Sequence, residues 1–332
     1  MPELRRDPVI GRWVIISTER AKRPSELVVE RSKSRGGFCP LCPGNESKTP
    51  PEVFALREQN TKPDTPGWKL RVVPNKFPAL VTEGELNKRG EGIYDKMSGL
   101  GGHEVIIETP DHKANASTLS SDDFKNLLLS YKQRIMELRK NNLFRYVLVF
   151  KNYGEAAGAS LEHPHSQLIA LPVVPKRAME ELEFAKSYYS YKDRCVFCDI
   201  IDQELSDRRR VVVENDGFLA IEPFAPRFPF ETCVLPKKHI SSFEDTDDSM
   251  FELMAEMLSL VLRKINKVLG FPPYNYMLHS SPFNRNDNEF YHWHFEIIPR
   301  VSRIAGFEWG TGFYINPTPP EQAAEYLRDV QV

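Results

Sequence analysis

The 332-residue chain carries one run of cysteine and histidine landmarks twice, in the same order, and this repeat constrains its fold more than any bulk property does. Each half opens on a C-x-x-C pair, Cys39/Cys42 in FCPLCPG and Cys195/Cys198 in RCVFCDI. Each then runs through a short apolar stretch to a histidine, VIIETPDH ending at His112 and CVLPKKH ending at His239. A phenylalanine follows 12 residues later in both, Phe124 and Phe251. Each half closes on H-x-H, as His163-Pro164-His165 and His292-Trp293-His294. His112 and His163 lie 51 residues apart, His239 and His292 lie 53 apart, so spacing repeats as well as order.

The stretches between the landmarks predict the same elements in both halves. Phe124, Leu127, Leu128, Tyr131, Ile135 and Leu138 fall on one helical face, with Ser121, Asp122 and Asp123 supplying the cap and the negative charge that a helix start favours. Phe251, Met254, Met257, Leu258, Val261 and Ile265 repeat that face after Asp247 and Asp248. A strand candidate follows each helix, at 144–150 and at 274–279. The reading is an α+β fold of two tandem related halves, each an antiparallel sheet with a packed amphipathic helix. The first half is placed at 1–174 and the second at 175–332, split in the helical Lys/Glu-rich region. The GLGG run at 99–102 reads as a turn.

A formal net charge of -2 supplies no field for nucleic acid or an anionic membrane, so neither is expected as a partner. No apolar run has the length of a signal peptide or a spanning helix, and a cytoplasmic location is expected. Reduced cysteines then need a use other than disulfides. Zinc takes four tetrahedral Cys and His ligands, and each half offers such a set. These are Cys39, Cys42, His112 and His163, then Cys195, Cys198, His239 and His292. Both sets are closed, which suits a structural metal. Cys233 reads as a core thiol.

His165 stands apart from those eight. It follows a proposed ligand by two residues on an extended segment stiffened by Pro164, so a metal on His163 would fix where His165 points. A nucleophilic imidazole needs its other nitrogen hydrogen-bonded, which a nearby backbone carbonyl would provide. The run from Asn152 to Ser160 is rich in small residues that let the backbone approach a phosphate, and Ser160 and Gln167 add neutral donors.

These motifs resemble the galactose-1-phosphate uridylyltransferase family, a branch of the histidine-triad superfamily. The resemblance rests on GASLEHPHSQ at 158–167, RAKRP at 20–24, FCPLCPGNE at 38–46, TPDH at 109–112, SPFN at 281–284 and HWH at 292–294. It implies two histidine-triad-like halves and a nucleotidyltransferase with His165 as nucleophile, Gln167 and Ser160 on the phosphoryl oxygens, and ping-pong exchange through a nucleotidyl-histidine. It implies that Arg20, Arg23, Asn75, Lys76, Phe77 and Asn152 contact the nucleotide or its phosphates. It places a first zinc on Cys39, Cys42, His112 and His163, and leaves zinc or iron open for the second site. His279 stands where some members hold a metal. His294 mirrors His165 without a following Ser-Gln and reads as packing or metal support. The implied partners are a nucleoside diphosphate sugar, a sugar 1-phosphate and a second copy in a homodimer, whose site Gly306, Phe307 and Glu308 would reach. Exchange between UDP-glucose and galactose 1-phosphate, in galactose metabolism, is the leading expectation. Ser166, where better-known members have Gly, the second C-x-x-C pair and the tail GFEWGTGFYINPTPPE also fit an ADP-glucose phosphorylase. A nucleotide hydrolase and a non-catalytic zinc nucleotide-binding module are the other classes considered.

Overall fold

The structure, a computed structural model, describes residues 1–17, 24, 27, 29, 36–284 and 288–332. In chain order its strands begin with β1 (Glu3–Arg6), β2 (Trp13–Ile16), β3 (Phe54–Arg57), β4 (Trp68–Pro74), β5 (Arg89–Glu91), β6 (Tyr94–Lys96) and β7 (Gly102–Ile107). Helix α1 (Ser121–Arg139), β8 (Tyr146–Tyr153) and β9 (His165–Leu171) complete the first half. The second has α2 (Lys176–Lys192), α3 (Val196–Asp207), β10 (Val211–Glu214), β11 (Phe218–Ile221) and β12 (Thr232–Pro236). It continues through α4 (Met250–Leu269), β13 (Tyr274–His279), β14 (His294–Pro299), α5 (Gly306–Thr311), β15 (Tyr314–Asn316) and α6 (Pro320–Asp329).

Ten strands form one antiparallel sheet in the order β10-β11-β12-β14-β13-β8-β9-β7-β4-β3. The order is two copies of one five-strand unit joined back to back. Reading outward from the join, β8-β9-β7-β4-β3 answers β13-β14-β12-β11-β10. The join is the β8–β13 pair, with Tyr276 opposite Lys151 and Asn275 opposite Asn152. The two sheets expected from the repeat are thus one, because the equivalent strand of each half leaves an open edge that the other closes.

Helices α1 and α4 pack on one face of this sheet and on each other. The stripe read from the sequence is what they bury: Phe124, Leu127, Tyr131 and Ile135 on α1, with Phe251, Met254, Val261 and Ile265 on α4, all at 1% exposure or less. Each such side chain contributes roughly 1.5–3 kcal/mol of burial. Leu138 is only half-buried at the edge of the core. The α1 cap lies one residue earlier than expected, since Ser120 Oγ accepts Asp123 N–H at 3.1 Å. Gly270, at φ 72°, ends α4 in the left-handed conformation that glycine adopts without strain.

The GLGG run is extended rather than a turn. Gly101 passes so close to the next strand that a Cβ there would lie 2.4 Å from the Ala170 carbonyl oxygen. The opposite sheet face is covered over the second half by α2 and α3, whose Leu182, Val196, Phe197 and Ile201 pack on Leu219, Ile221 and Leu235. Cys233 lies half-buried against that cluster. Over the first half this face stays open beside β8 and β9. No helix among the described residues is long and apolar enough to cross a membrane.

Candidate active site and metal centres

The open face ends in a cleft of about 430 Å³ where β9 begins. Its walls are the Lys151–Glu155 and Ala159–His165 segments, His112 to Ala114, and Phe271 and Pro273 from the second half. Ile107 pairs with His165, and Phe150 with Gln167, so alternation puts His165, Gln167 and Asn152 on the open face. Lys151 and Ser166 point the other way, toward α1, where the Tyr131 hydroxyl donates to Ser166 Oγ at 2.7 Å.

His165 is 7% exposed, and its Nδ1–H donates to the His163 carbonyl at 2.8 Å. That bond fixes the tautomer and leaves the Nε2 lone pair for attack. Burial lowers the His165 pKa, which keeps the ring neutral. The backbone around it is held carbonyl by carbonyl. Glu108 N–H donates to the Pro164 oxygen at 3.1 Å, and Lys151 Nζ donates to the His165 oxygen at 3.1 Å. Lys151 also pairs with Glu108 at 2.6 Å, an ion pair whose side chains are 1% and 0% exposed. Nothing local in the sequence marks this pair, which three strands bring together.

His163 leads into β9 from the first four-ligand cluster. One ligand atom from each of Cys39, Cys42, His112 and His163 lies within 4.8 Å of all the others. Cys42 Sγ stands 3.3 Å from His112 Nδ1 and 3.5 Å from His163 Nδ1. His163 Nε2–H donates to the Thr109 carbonyl at 2.8 Å, which turns Nδ1 inward as a ligand. Burial and the neighbouring Cys39 push the Cys42 thiol up to about 11, so two sulfurs crowd a place that a cation would make comfortable for both as thiolates.

The second cluster repeats this with Cys195, Cys198, His239 and His292. His239 Nε2–H donates to the Asn288 carbonyl at 2.6 Å and His292 Nε2–H to the Pro236 carbonyl at 2.8 Å, again leaving Nδ1 of both for the centre. Both donor sets are two sulfurs and two imidazoles, the chemistry zinc prefers in closed sites.

A third group was only half visible in the sequence. His279 and His294 stack at 4.7 Å and 4°, and buried Glu181 from α2 sits 3.4 Å from His279 Nδ1. The three donor atoms again lie within 4.8 Å of one another. Burial alone would raise the Glu181 carboxyl and lower the His279 imidazole. Their attraction overrides it, holding Glu181 down to about 2 and His279 up to about 9. Beside them Glu296 is held by Arg227. His294 repeats the local geometry of His165, with Nδ1–H donating to the His292 carbonyl at 3.2 Å, but burial and His279 push it down to about 4.

Ser160 and Asn152 line the cleft with His165. Gln167 lies beyond it on the same face, its Oε1 2.9 Å from His103 Nε2. Asn75 reaches the same ring nitrogen at 3.1 Å. Lys76 and Phe77 stand apart: Lys76 Nζ donates to the Lys48 carbonyl at 3.3 Å, and Phe77 is 82% exposed. Gly306, Phe307 and Glu308 open α5 without lining this chain's own cleft, with Glu308 accepting Ala305 N–H at 3.0 Å. Arg20 and Arg23 lie outside the described residues.

Known proteins share this architecture. Residues 1–175 match the family described as galactose-1-phosphate uridyl transferase, N-terminal domain, and residues 181–331 its C-terminal domain. The chain is 39% identical to ADP-glucose phosphorylase of Arabidopsis thaliana, over 100% of this chain and 93% of that protein. It is 31% identical to galactose-1-phosphate uridylyltransferase of Thermotoga maritima, over 100% and 99%. A solved ADP-glucose phosphorylase from Arabidopsis thaliana with bound ADP-glucose superposes with a TM-score of 0.86 at 38% identity, covering 100% of both chains. Matched through both halves and along its whole length, the chain is a nucleotidyltransferase-type enzyme and belongs to the galactose-1-phosphate uridylyltransferase family.

Proposed function

We propose that the chain moves a nucleoside monophosphate from a nucleoside diphosphate sugar to a phosphate acceptor through a covalent bond to His165, with ADP-glucose as donor and inorganic phosphate as acceptor. One observation carries the chemistry: His165 gives its Nδ1 hydrogen to the His163 carbonyl and keeps its Nε2 lone pair on the wall of the cleft. In the first step Nε2 attacks the α-phosphorus. The P–N bond forms as the bond to the β-phosphate oxygen breaks, and that electron pair leaves on glucose 1-phosphate. The positive charge left on the ring is shared through Nδ1–H with the carbonyl. In the second step a phosphate oxygen attacks the same phosphorus, the P–N pair returns to Nε2, and ADP departs. Ser160 and the amides of Asn152 and Gln167 act as donors to the phosphoryl oxygens. Zinc on Cys39, Cys42, His112 and His163 would fix the segment that carries the nucleophile, and Cys195, Cys198, His239 and His292 would hold a second ion.

The donor assignment draws on the 39% identity to the Arabidopsis enzyme and the superposition on its ADP-glucose complex. The second reading is uridylyl exchange between UDP-glucose and galactose 1-phosphate, favoured by the Thermotoga relative and the family's description. In either case Gly306, Phe307 and Glu308 are read as completing the cleft of a second copy in a homodimer. Incubation with ADP-glucose or UDP-glucose followed by intact mass separates the two. An adenylyl adduct supports the first and a uridylyl adduct the second. No adduct from either, at full metal content, ends both.

A further inference from the structure

Two carboxamides flank the nucleophile, Gln167 on β9 and Asn152 on β8. A phosphoryl group needs N–H from each, yet an amide's oxygen and nitrogen ends are nearly alike in size, so shape does not choose between them. Bonds on the far side do. His103 Nδ1 accepts the Ala79 backbone N–H at 3.2 Å. A backbone amide only donates, so the ring hydrogen sits on Nε2, and Gln167 must turn its oxygen to it at 2.9 Å. The NH₂ of Asn75, whose oxygen accepts Phe77 N–H at 2.9 Å, crowds that nitrogen without offering an acceptor, which leaves Gln167 as the partner.

Asn275 comes from the other half. Its Nδ2 donates to the Ala157 carbonyl at 2.8 Å, and a carbonyl only accepts, so its orientation is set by the backbone. The same Nδ2 donates to Asn152 Oδ1 at 2.8 Å, which turns the Asn152 NH₂ away, toward Gly158. Each chain of bonds starts at a main-chain group and ends at an NH₂ with no other acceptor among the described residues.

We propose that His103 and Asn275 are positioning residues that lock the amides of Gln167 and Asn152 with their N–H groups toward the phosphoryl group transferred at His165. Neither lines the cleft, and each bonds an amide on the face that carries His165, Asn152 in the cleft wall and Gln167 beyond it. The inference rests on the nucleotidyl-transfer reading above. An amide free to rotate offers its carbonyl oxygen to the phosphoryl oxygens part of the time and must reorganise as charge develops.

The test is the single-turnover rate of adduct formation, read by intact mass with ADP-glucose and with UDP-glucose. It is run for His103→Leu, Asn275→Ala, Gln167→Leu, Asn152→Ala and the doubles His103→Leu/Gln167→Leu and Asn275→Ala/Asn152→Ala. Each positioning variant should slow the rate about tenfold. Nucleotide-sugar affinity, measured in a His165→Ala background, should change less than about threefold, a split that general loosening would not give. Each double should be no slower than the amide variant alone, because the positioning residue has nothing left to hold. Unchanged rates, or doubles that multiply, overturn the inference while the wild type still takes up nucleotide. A wild type that takes up neither nucleotide overturns the reading beneath it and this inference together.

Discussion

Lys151→Met tests whether the strand that carries His165 is anchored from behind. At 2.6 Å and an effective dielectric near 20, the Lys151–Glu108 attraction is about 6 kcal/mol before desolvation is subtracted. Both side chains are out of contact with water, and Glu108 Oε1 has no partner among the described residues. Removing the ammonium therefore leaves a buried carboxylate with nothing to balance it, which costs about 3–5 kcal/mol. Glu108→Gln should cost a comparable amount by stranding the ammonium. The double Lys151→Met/Glu108→Gln buries no charge at all. What it lacks is mainly the bond to the His165 carbonyl, worth about 0.5–1.5 kcal/mol net. The double should thus be more stable than either single, a coupling of several kcal/mol. Urea unfolding followed by fluorescence of the four tryptophans measures it. Single costs under about 1 kcal/mol, or singles that simply add, would refute a dry ion pair beneath His165.

His165→Ala should abolish adduct formation and turnover while leaving nucleotide-sugar binding, checked by intact mass and calorimetry. Turnover near wild type in that variant would point to another nucleophile. Cys39→Ser and His112→Ala should each lower bound zinc by about one equivalent and lower the melting temperature, because metal affinity at such sites is folding energy. Elemental analysis at unchanged zinc would remove the assignment. Glu222 is fully buried, its Oε1 accepting from Thr232 Oγ1 at 2.7 Å and its Oε2 without a partner among the described residues, and burial holds its carboxyl well above the usual carboxylate value of about 4.5. Such an acid binds more protons folded than unfolded, so its stabilising effect is complete below 4.5 and falls as pH rises, by up to about 1.4 kcal/mol per unit. Glu222→Gln should lack that slope. Parallel stability curves for variant and wild type between pH 5 and 8 would contradict it.

The two four-residue clusters that could hold a metal were readable as sequence, because two sulfurs and two imidazoles in one sphere impose residue types that few other roles share. All eight proposed ligands fall into their two clusters. His165 was readable for a related reason, since its place follows from His163 two residues before it. What stayed hidden depends on strand register. Lys151 and Asn275 look like ordinary positions of two separate strands, and Glu108 like the residue after a third, until β7, β9, β8 and β13 are laid side by side. The pairing of Asn275 with Asn152 crosses from one half to the other. Glu181 was missed because it projects from α2, an element that the repeat does not contain. The GLGG run was misread because glycine serves close backbone approach as readily as a turn, and only the position of Ala170 distinguishes them.

On the proposed function, the duplicated unit also explains why one half would keep the chemistry. His165 and His294 begin equivalent strands, and each donates Nδ1–H to the carbonyl of a histidine two residues earlier. Local geometry therefore leaves Nε2 of both rings without a hydrogen. Their surroundings differ. His165 faces a cleft of about 430 Å³ whose lining includes Asn152, Ser160, Lys113, Glu155 and Glu162, whereas His294 faces a cavity of about 110 Å³ lined by Glu181, Glu231 and Glu296 together with Arg12 and Arg177. A cavity of that size is too small for a nucleoside diphosphate sugar. The second half contributes to the first half's cleft instead, through Phe271, Pro273 and the grip of Asn275 on Asn152. Edge-to-edge joining of the two sheets is what brings those residues within reach, so the fusion of the halves is a condition of the site and not only of the fold.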